Sequence, residues 1–281
     1  MNGIPTIAWL TLHESLRRRV LLVALILGLA FLLIFAAGFY AIMSAASTGG
    51  VRSLPSAPQR LVAPAFLTMA GFYAVNFMVI LMAVLMPVDT LSGEISSGAI
   101  QSLVTKPIRR SDVVLGKWLG FWLILMAYLL LMCGGVVLIA LLAAGYVAPD
   151  LVLGIPLLML EGTLLLSLSI AGGTRLSTLT NGVMVFGLYG LAFIGGWVEQ
   201  VSALLGNSAG SYLGILSSLL IPSEALWHLA AYHMQPPLIR DLGISPFSSA
   251  SVPSDAMVLW AVGYTFVVML FALTQFRARD L

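Results

Sequence analysis

Apolar runs of membrane-spanning length alternate with short polar segments along most of this chain. Residues 20–43 (VLLVALILGLAFLLIFAAGFYAIM) form the first run. A Ser/Gly/Pro-rich loop from Ser44 to Ala63, too polar for lipid, separates it from a second run over 64–86. The third, 113–146, is longer than one bilayer requires and predicts a helix that continues into water. Pro149 and Asp150 mark a tight turn before a fourth run over 151–176; residues 181–205 and 255–276 give the fifth and sixth. Each run approaches or exceeds the ~20 apolar residues a helix needs to cross hydrocarbon. The pattern predicts an all-α polytopic membrane protein with six transmembrane helices in one transmembrane domain, 1–281.

Two segments do not fit a plain six-span reading. Residues 1–19 are amphipathic, with Trp9 and Leu12 apolar and Arg17, Arg18 and Arg19 at the end, as interfacial helices are. Residues 206–254 contain SYLGILSSLLIP and SEALWHLAAY, and Ser211–Ile221 is too short to span as a helix. This segment reads as an external re-entrant or interfacial helix pair, broken at Pro222 and restarted by Ser223 as N-cap with Glu224 behind it. With six spans and a cytoplasmic N-terminus, Arg17, Arg18, Arg19, Lys106, Arg109, Arg110, Lys117, Arg175, Arg277 and Arg279 fall inside. Only Arg52, Arg60 and Arg240 fall outside, so the basic bias places both termini in the cytoplasm.

Composition agrees. The 281 residues are 60% apolar and only 9% charged, with a mean hydropathy of +1.05. A net charge of +2 gives no nucleic-acid footprint. The single cysteine, Cys133, lies mid-span and excludes an internal disulfide. The first apolar run is longer than a signal-peptide core and follows nineteen residues, so no cleaved leader is expected.

Enzyme chemistry finds little support. GNSAG (206–210) matches G-x-S-x-G, but an apolar helix precedes it where that motif needs a strand, and no His/Asp partners are placed. His228 and His233 are five apart and do not share a helix face as i, i+4 zinc ligands do. Met78, Met82 and Met86 make one stripe on the second span, read as helix packing rather than a copper(I) site. Gly116-Lys117 lacks the glycines of a P-loop, so this chain holds no nucleotide site. Glu161 is different. It lies mid-span, and an intramembrane carboxylate is either a functional group or a protonated hydrogen-bonding partner of another helix. Gly116 and Gly120 form a GxxxG pair suited to close helix packing.

Between the second and third spans lies the one long polar segment dense in both signs of charge, 89–117 (DTLSGEISSGAIQSLVTKPIRRSDVVLGK). Ser97–Val104 predicts a short helix with Ile100, Leu103 and Val104 on one face, stopped by Pro107. Ser111 then caps the next helix, with Asp112 in its first turn. A short apolar-faced helix carried by two long ones suits docking to a soluble partner; the plainer reading is a solvated loop that sets topology.

The run Gly93-Glu94, then Ser97-Gly98-Ala99-Ile100-Gln101-Ser102-Leu103, then Lys106-Pro107-Ile108-Arg109-Arg110, then Leu115-Gly116-Lys117-Trp118 resembles the cytoplasmic segment of type 2 ABC-transporter permeases, the exporter-like six-span family. The resemblance is dense in this segment and looser elsewhere. It implies that 97–104 is a coupling helix seated in a cleft of a separate ATPase subunit. Glu94, Ser97, Gly98, Ile100, Gln101, Leu103, Val104, Lys106, Pro107, Arg109 and Arg110 would then be the partner-contact residues. It further implies two ATPase chains carrying ATP and Mg, a second permease chain in a homodimer or heterodimer, and a multi-pass protein of a prokaryotic plasma membrane that exports a small or hydrophobic substrate. On this reading the chain binds no cofactor or metal itself and is not an enzyme; membrane lipid, not nucleic acid, surrounds it. Two alternatives remain: an ion-coupled secondary transporter using Glu161, for which no internal repeat is apparent, and a non-transporting membrane subunit of an ATPase-dependent complex.

Overall fold

The computed structural model describes residues 3–16, 19–48, 57–88, 90, 93, 109–237, 240 and 251–278. Among these residues the chain is built from helices, with no strand: α1 (Gly3–Leu16), α2 (Arg19–Thr48), α3 (Ala57–Leu85), α4 (Arg110–Ala144), α5 (Leu151–Gly173), α6 (Thr178–Leu204), α7 (Ser208–Leu220), α8 (Ser223–Met234) and α9 (Ala256–Arg277). Six of them, α2 to α6 and α9, are long and apolar enough to cross a membrane, as the hydropathy pattern predicts. The expected coupling helix, with Glu94, Ser97, Gly98, Ile100, Gln101, Leu103, Val104, Lys106 and Pro107, lies outside the described residues.

Helix ends follow local chemistry, with some departures from expectation. α4 stops where Gly145 takes a left-handed φ of 61°, its amide donating to the Leu141 carbonyl at 2.9 Å. Asp150, at φ 43°, makes the tight turn into α5. α2 runs on to Thr48 and α3 begins at Ala57, so both extend into the stretch expected to be loop. Pro64 is accommodated inside α3, where its carbonyl accepts from the Thr68 hydroxyl at 2.7 Å. Ser111 does not cap α4. The backbone turns helical two residues too early for that, Arg109 holds the extended N-cap position, and the Ser111 hydroxyl donates to the Asp112 carboxylate at 3.4 Å.

α4 is the rod on which the bundle is assembled. At 35 residues it is ~52 Å long, against a hydrocarbon core of ~30 Å. α1 lies along its first turns, burying Ile7, Ala8, Thr11 and Ser15 while Trp9 and Leu10 stay exposed. The GxxxG pair makes this possible: a Cβ on Gly116 would stand 2.6 Å from Ile7 Cβ, and one on Gly120 2.8 Å from Thr11 Cβ. Further along, the indoles of Trp118 and Trp122 donate to the Ser167 and Thr163 hydroxyls of α5, each at 2.9 Å. The Arg110 guanidinium donates to the Arg277 carbonyl at 3.2 Å, so α9 finishes beside the start of α4. Arg110 and Arg277 make this the basic end of the bundle.

The segment between the fifth and sixth spans is a re-entrant pair. α7 and α8 meet at a bend of 106°. α7 runs back along α6 through small residues, Gly195 facing Ser217 and Gly210 facing Ser202. α8 then returns along α5, ending with Met234 against Gly154. Both therefore open toward the end opposite the basic one. The break falls at Pro222, as expected, but Ser223 is not the cap: the Pro222 carbonyl accepts the Leu226 amide at 3.1 Å, so Pro222 holds the N-cap position and Ser223 begins the helix. Asn207 caps α7, its carboxamide oxygen accepting from the Ala209 and Gly210 amides. The GNSAG match is thus a helix start.

Replacing Gly116 by Leu is expected to force α1 off α4 and destabilise the protein by about 1–3 kcal/mol. Gly134→Leu, where a Cβ meets nothing within 4 Å, should cost far less. Thermal unfolding of the two variants in one detergent checks the difference.

Candidate functional site

Glu161 sits eleven residues into the 23-residue α5, near the midpoint of that span, and its side chain is fully buried. A carboxyl group there cannot reach water, and apolar neighbours give its oxygens nothing to bond. One partner comes from α3: Asn76, itself 4% exposed, donates through Nδ2 to Glu161 Oε1 at 3.4 Å. The other oxygen, Oε2, has no hydrogen-bond partner among the described residues.

The re-entrant pair brings a second acid to this place. Glu224, in the first turn of α8, is 2% exposed and lies within electrostatic reach of Glu161. Its carboxylate approaches His228 Nε2 at 3.5 Å, one helical turn along α8. Tyr189 on α6 interacts electrostatically with both acids and with Tyr73 on α3, which in turn is hydrogen-bonded to Trp197. The Tyr73 ring also meets Trp227 edge-on at 5.4 Å between centroids. Among the described residues no lysine or arginine contributes to the cluster. The result is a polar knot joining α3, α5, α6 and α8 in the interior of an otherwise apolar bundle.

Sequence reading singled out Glu161 and missed its company. Asn76 is the one asparagine in α3, and His228 stands four residues after Glu224, so both signals were present in the sequence. What sequence could not supply was the fold of α8 back to mid-span depth. His233, the other histidine considered for metal binding, instead packs edge-on against Tyr232, and no group of metal-ligand residues forms among the described residues. Met82 and Met86 are buried in the core, as packing residues are.

Toward the basic end, Arg109 is exposed at the start of α4 and Arg110 is engaged with the end of α9. Two more hydrogen bonds tie the spans together near this end. Ser169 of α5 donates to the Val84 carbonyl of α3 at 3.1 Å, and Asn181 of α6 donates to the Ser169 carbonyl at 2.8 Å. Residues that close the 89–117 segment are therefore built into the helix bundle and do not hang from it.

Glu161→Gln keeps an acceptor for Asn76 and is expected to fold with nearly unchanged stability. Glu161→Leu leaves the Asn76 amide buried without its acceptor and should cost about 1–3 kcal/mol. Equal losses in detergent thermal unfolding would contradict the hydrogen-bonding role.

Comparison with known proteins agrees with this architecture. No curated protein sequence matched the chain. A family model described as ABC-2 family transporter protein matches residues 5–281, nearly the whole chain, and covers α2 to α9 in full. The six apolar helices, with α1 clamped to α4 and α7 and α8 folded back between them, are thus those of a multi-pass membrane protein, and the chain belongs to the ABC-2 transporter family.

Proposed function

We propose that this chain is the membrane-spanning permease subunit of an ATP-driven exporter whose ATPase is a separate chain. The observation that carries the reading is the family match over residues 5–281 on a bundle of six candidate spans. ABC-2 permeases normally work with an ABC ATPase, and this sequence has no P-loop of its own. ATP and Mg belong on the partner. We assign two ATPase chains and a second permease chain to the working unit, in a prokaryotic plasma membrane with both termini cytoplasmic.

Residues 97–104 would form the coupling helix, with Ile100, Leu103 and Val104 filling an apolar cleft of the ATPase and Lys106, Arg109 and Arg110 meeting acidic groups around it. α4 supports this role physically. It begins at Arg110, just after the coupling segment, and continues as one unbroken helix of 35 residues. A push at its start is carried along the whole rod, because a packed helix moves as a rigid body. α1 and α9 are fastened to the same end and would move with it. The cargo is small or hydrophobic, matching an interior lined by Leu, Met, Phe and small residues. The buried Glu161–Glu224 knot keeps one second reading in play, ion-coupled transport through Glu161, which would run without ATP.

Ile100→Asp or Leu103→Asp is expected to abolish co-purification of the ATPase in mild detergent while the chain still inserts. An ATPase retained at full stoichiometry by both variants would contradict the coupling-helix assignment, and transport in liposomes without ATP would favour the ion-coupled reading.

A further inference from the structure

α2 is the least embedded of the six spans, and its packing is uneven along its length. Near its middle it is pressed onto its neighbours. A Cβ on Gly28 would stand 2.9 Å from Met132 Sδ, and one on Gly71 of α3 2.8 Å from the Phe35 ring. Phe39 is 1% exposed. Toward the start of α2 the contact with α3 opens into a lateral groove of about 470 Å³. Arg19, Val23 and Leu27 line one wall and Phe77, Leu81 and Leu85 the other, with Tyr128 of α4 at the back. Tyr128 donates its hydroxyl to the Ala24 carbonyl at 3.3 Å, so the floor is closed and offers no free polar group there.

The groove has a polarity that suits one kind of occupant. Its walls are apolar except at one end, where Arg19 begins α2 beside Leu85, the last residue of antiparallel α3. Eight residues separate Arg19 from Leu27 and Phe77 from Leu85, a length of about 12 Å along a helix. That is close to the half-thickness, about 15 Å, of a hydrocarbon core. Arg17 and Arg18 precede Arg19 in sequence. A second lateral groove, of about 380 Å³ between α4, α5 and α9, is lined by Trp118, Thr163, Val262, Phe266 and neighbours and has no charged residue. It provides an internal comparison.

We propose that the α2–α3 groove is a binding site for an anionic glycerophospholipid of the leaflet that meets Arg19. One acyl chain lies between the helices, and the phosphate accepts hydrogen bonds from the Arg19 guanidinium. A planar guanidinium pairs with phosphate through two parallel N–H···O bonds, which a zwitterionic headgroup with its own ammonium group competes for. The lipid completes the packing that α2 lacks in its first turns.

Native mass spectrometry of the full-length chain, released from micelles doped with equal phosphatidylglycerol and phosphatidylcholine, tests this. The wild type is expected to retain phosphatidylglycerol in preference. Arg19→Gln should lower the retained ratio about fivefold, the effect of one basic residue at an anionic surface, while Arg19→Lys, which keeps the charge but loses the two-bond fork, should fall between the two. Val23→Trp, which fills the groove, should lose the tightly held lipid of both kinds, and Phe266→Trp in the uncharged groove should leave the ratio unchanged. Equal retention of the two lipids by the wild type, or an unchanged ratio in Arg19→Gln, would overturn the proposal. Full retention in Val23→Trp would overturn the groove as its seat.

Discussion

A helix broken inside hydrocarbon leaves carbonyl and amide groups that lipid cannot satisfy, and this fold is arranged around covering one such break. At Ile221–Pro222 the chain reverses direction at mid-span depth. The Trp260 indole of α9 donates to the Leu219 carbonyl at 3.0 Å, the Pro222 carbonyl starts α8, and Ile221 is 1% exposed. Farther out, α6 is tied to the segment that leads into α9. The Ser251 hydroxyl donates to Glu199 at 2.6 Å, while the Gln200 carboxamide both donates to and accepts from the Ser251 backbone. Covering the break this way has a consequence. It requires neighbouring helices, and it carries Glu224 in among them.

Glu161 follows from the same constraint. Its partner Asn76 reaches from α3, and Glu224 with His228 reaches from α8, so these four side chains gather where the re-entrant turn ends. Such a knot is specific in a way that apolar packing is not, because a shifted helix leaves a buried polar atom unpaired. α5 connects it directly to the Trp118 and Trp122 contacts of α4. Two tryptophan hydrogen bonds and one helix thus join α4 to the knot.

The six spans were legible because hydrophobic length is a strong signal, and the break at Pro222 because proline has no amide hydrogen. Caps were less legible. Ser111 and Ser223 are good cap residues by type, yet Arg109 and Pro222 hold those positions, since the neighbouring backbone had already turned helical. Glu161 stood out as a lone acid in an apolar run. Its partners did not, because the contacts to Asn76 and Glu224 span long stretches of chain and depend on how deep α8 returns. The GxxxG at Gly116 and Gly120 was readable as a packing face, but its occupant, α1, was not.

The depth of the re-entrant turn is the central claim, and power-saturation EPR measures it directly. Leu220 at the turn, Ile194 near the middle of α6 and Leu205 at its far end are all exposed on the protein surface, at 62%, 65% and 77%. A nitroxide at Leu220 is predicted to match one at Ile194 in a bilayer: open to oxygen and shielded from a water-soluble nickel relaxant. A label at Leu220 as open to nickel as one at Leu205 would place the turn at the membrane surface and contradict the account.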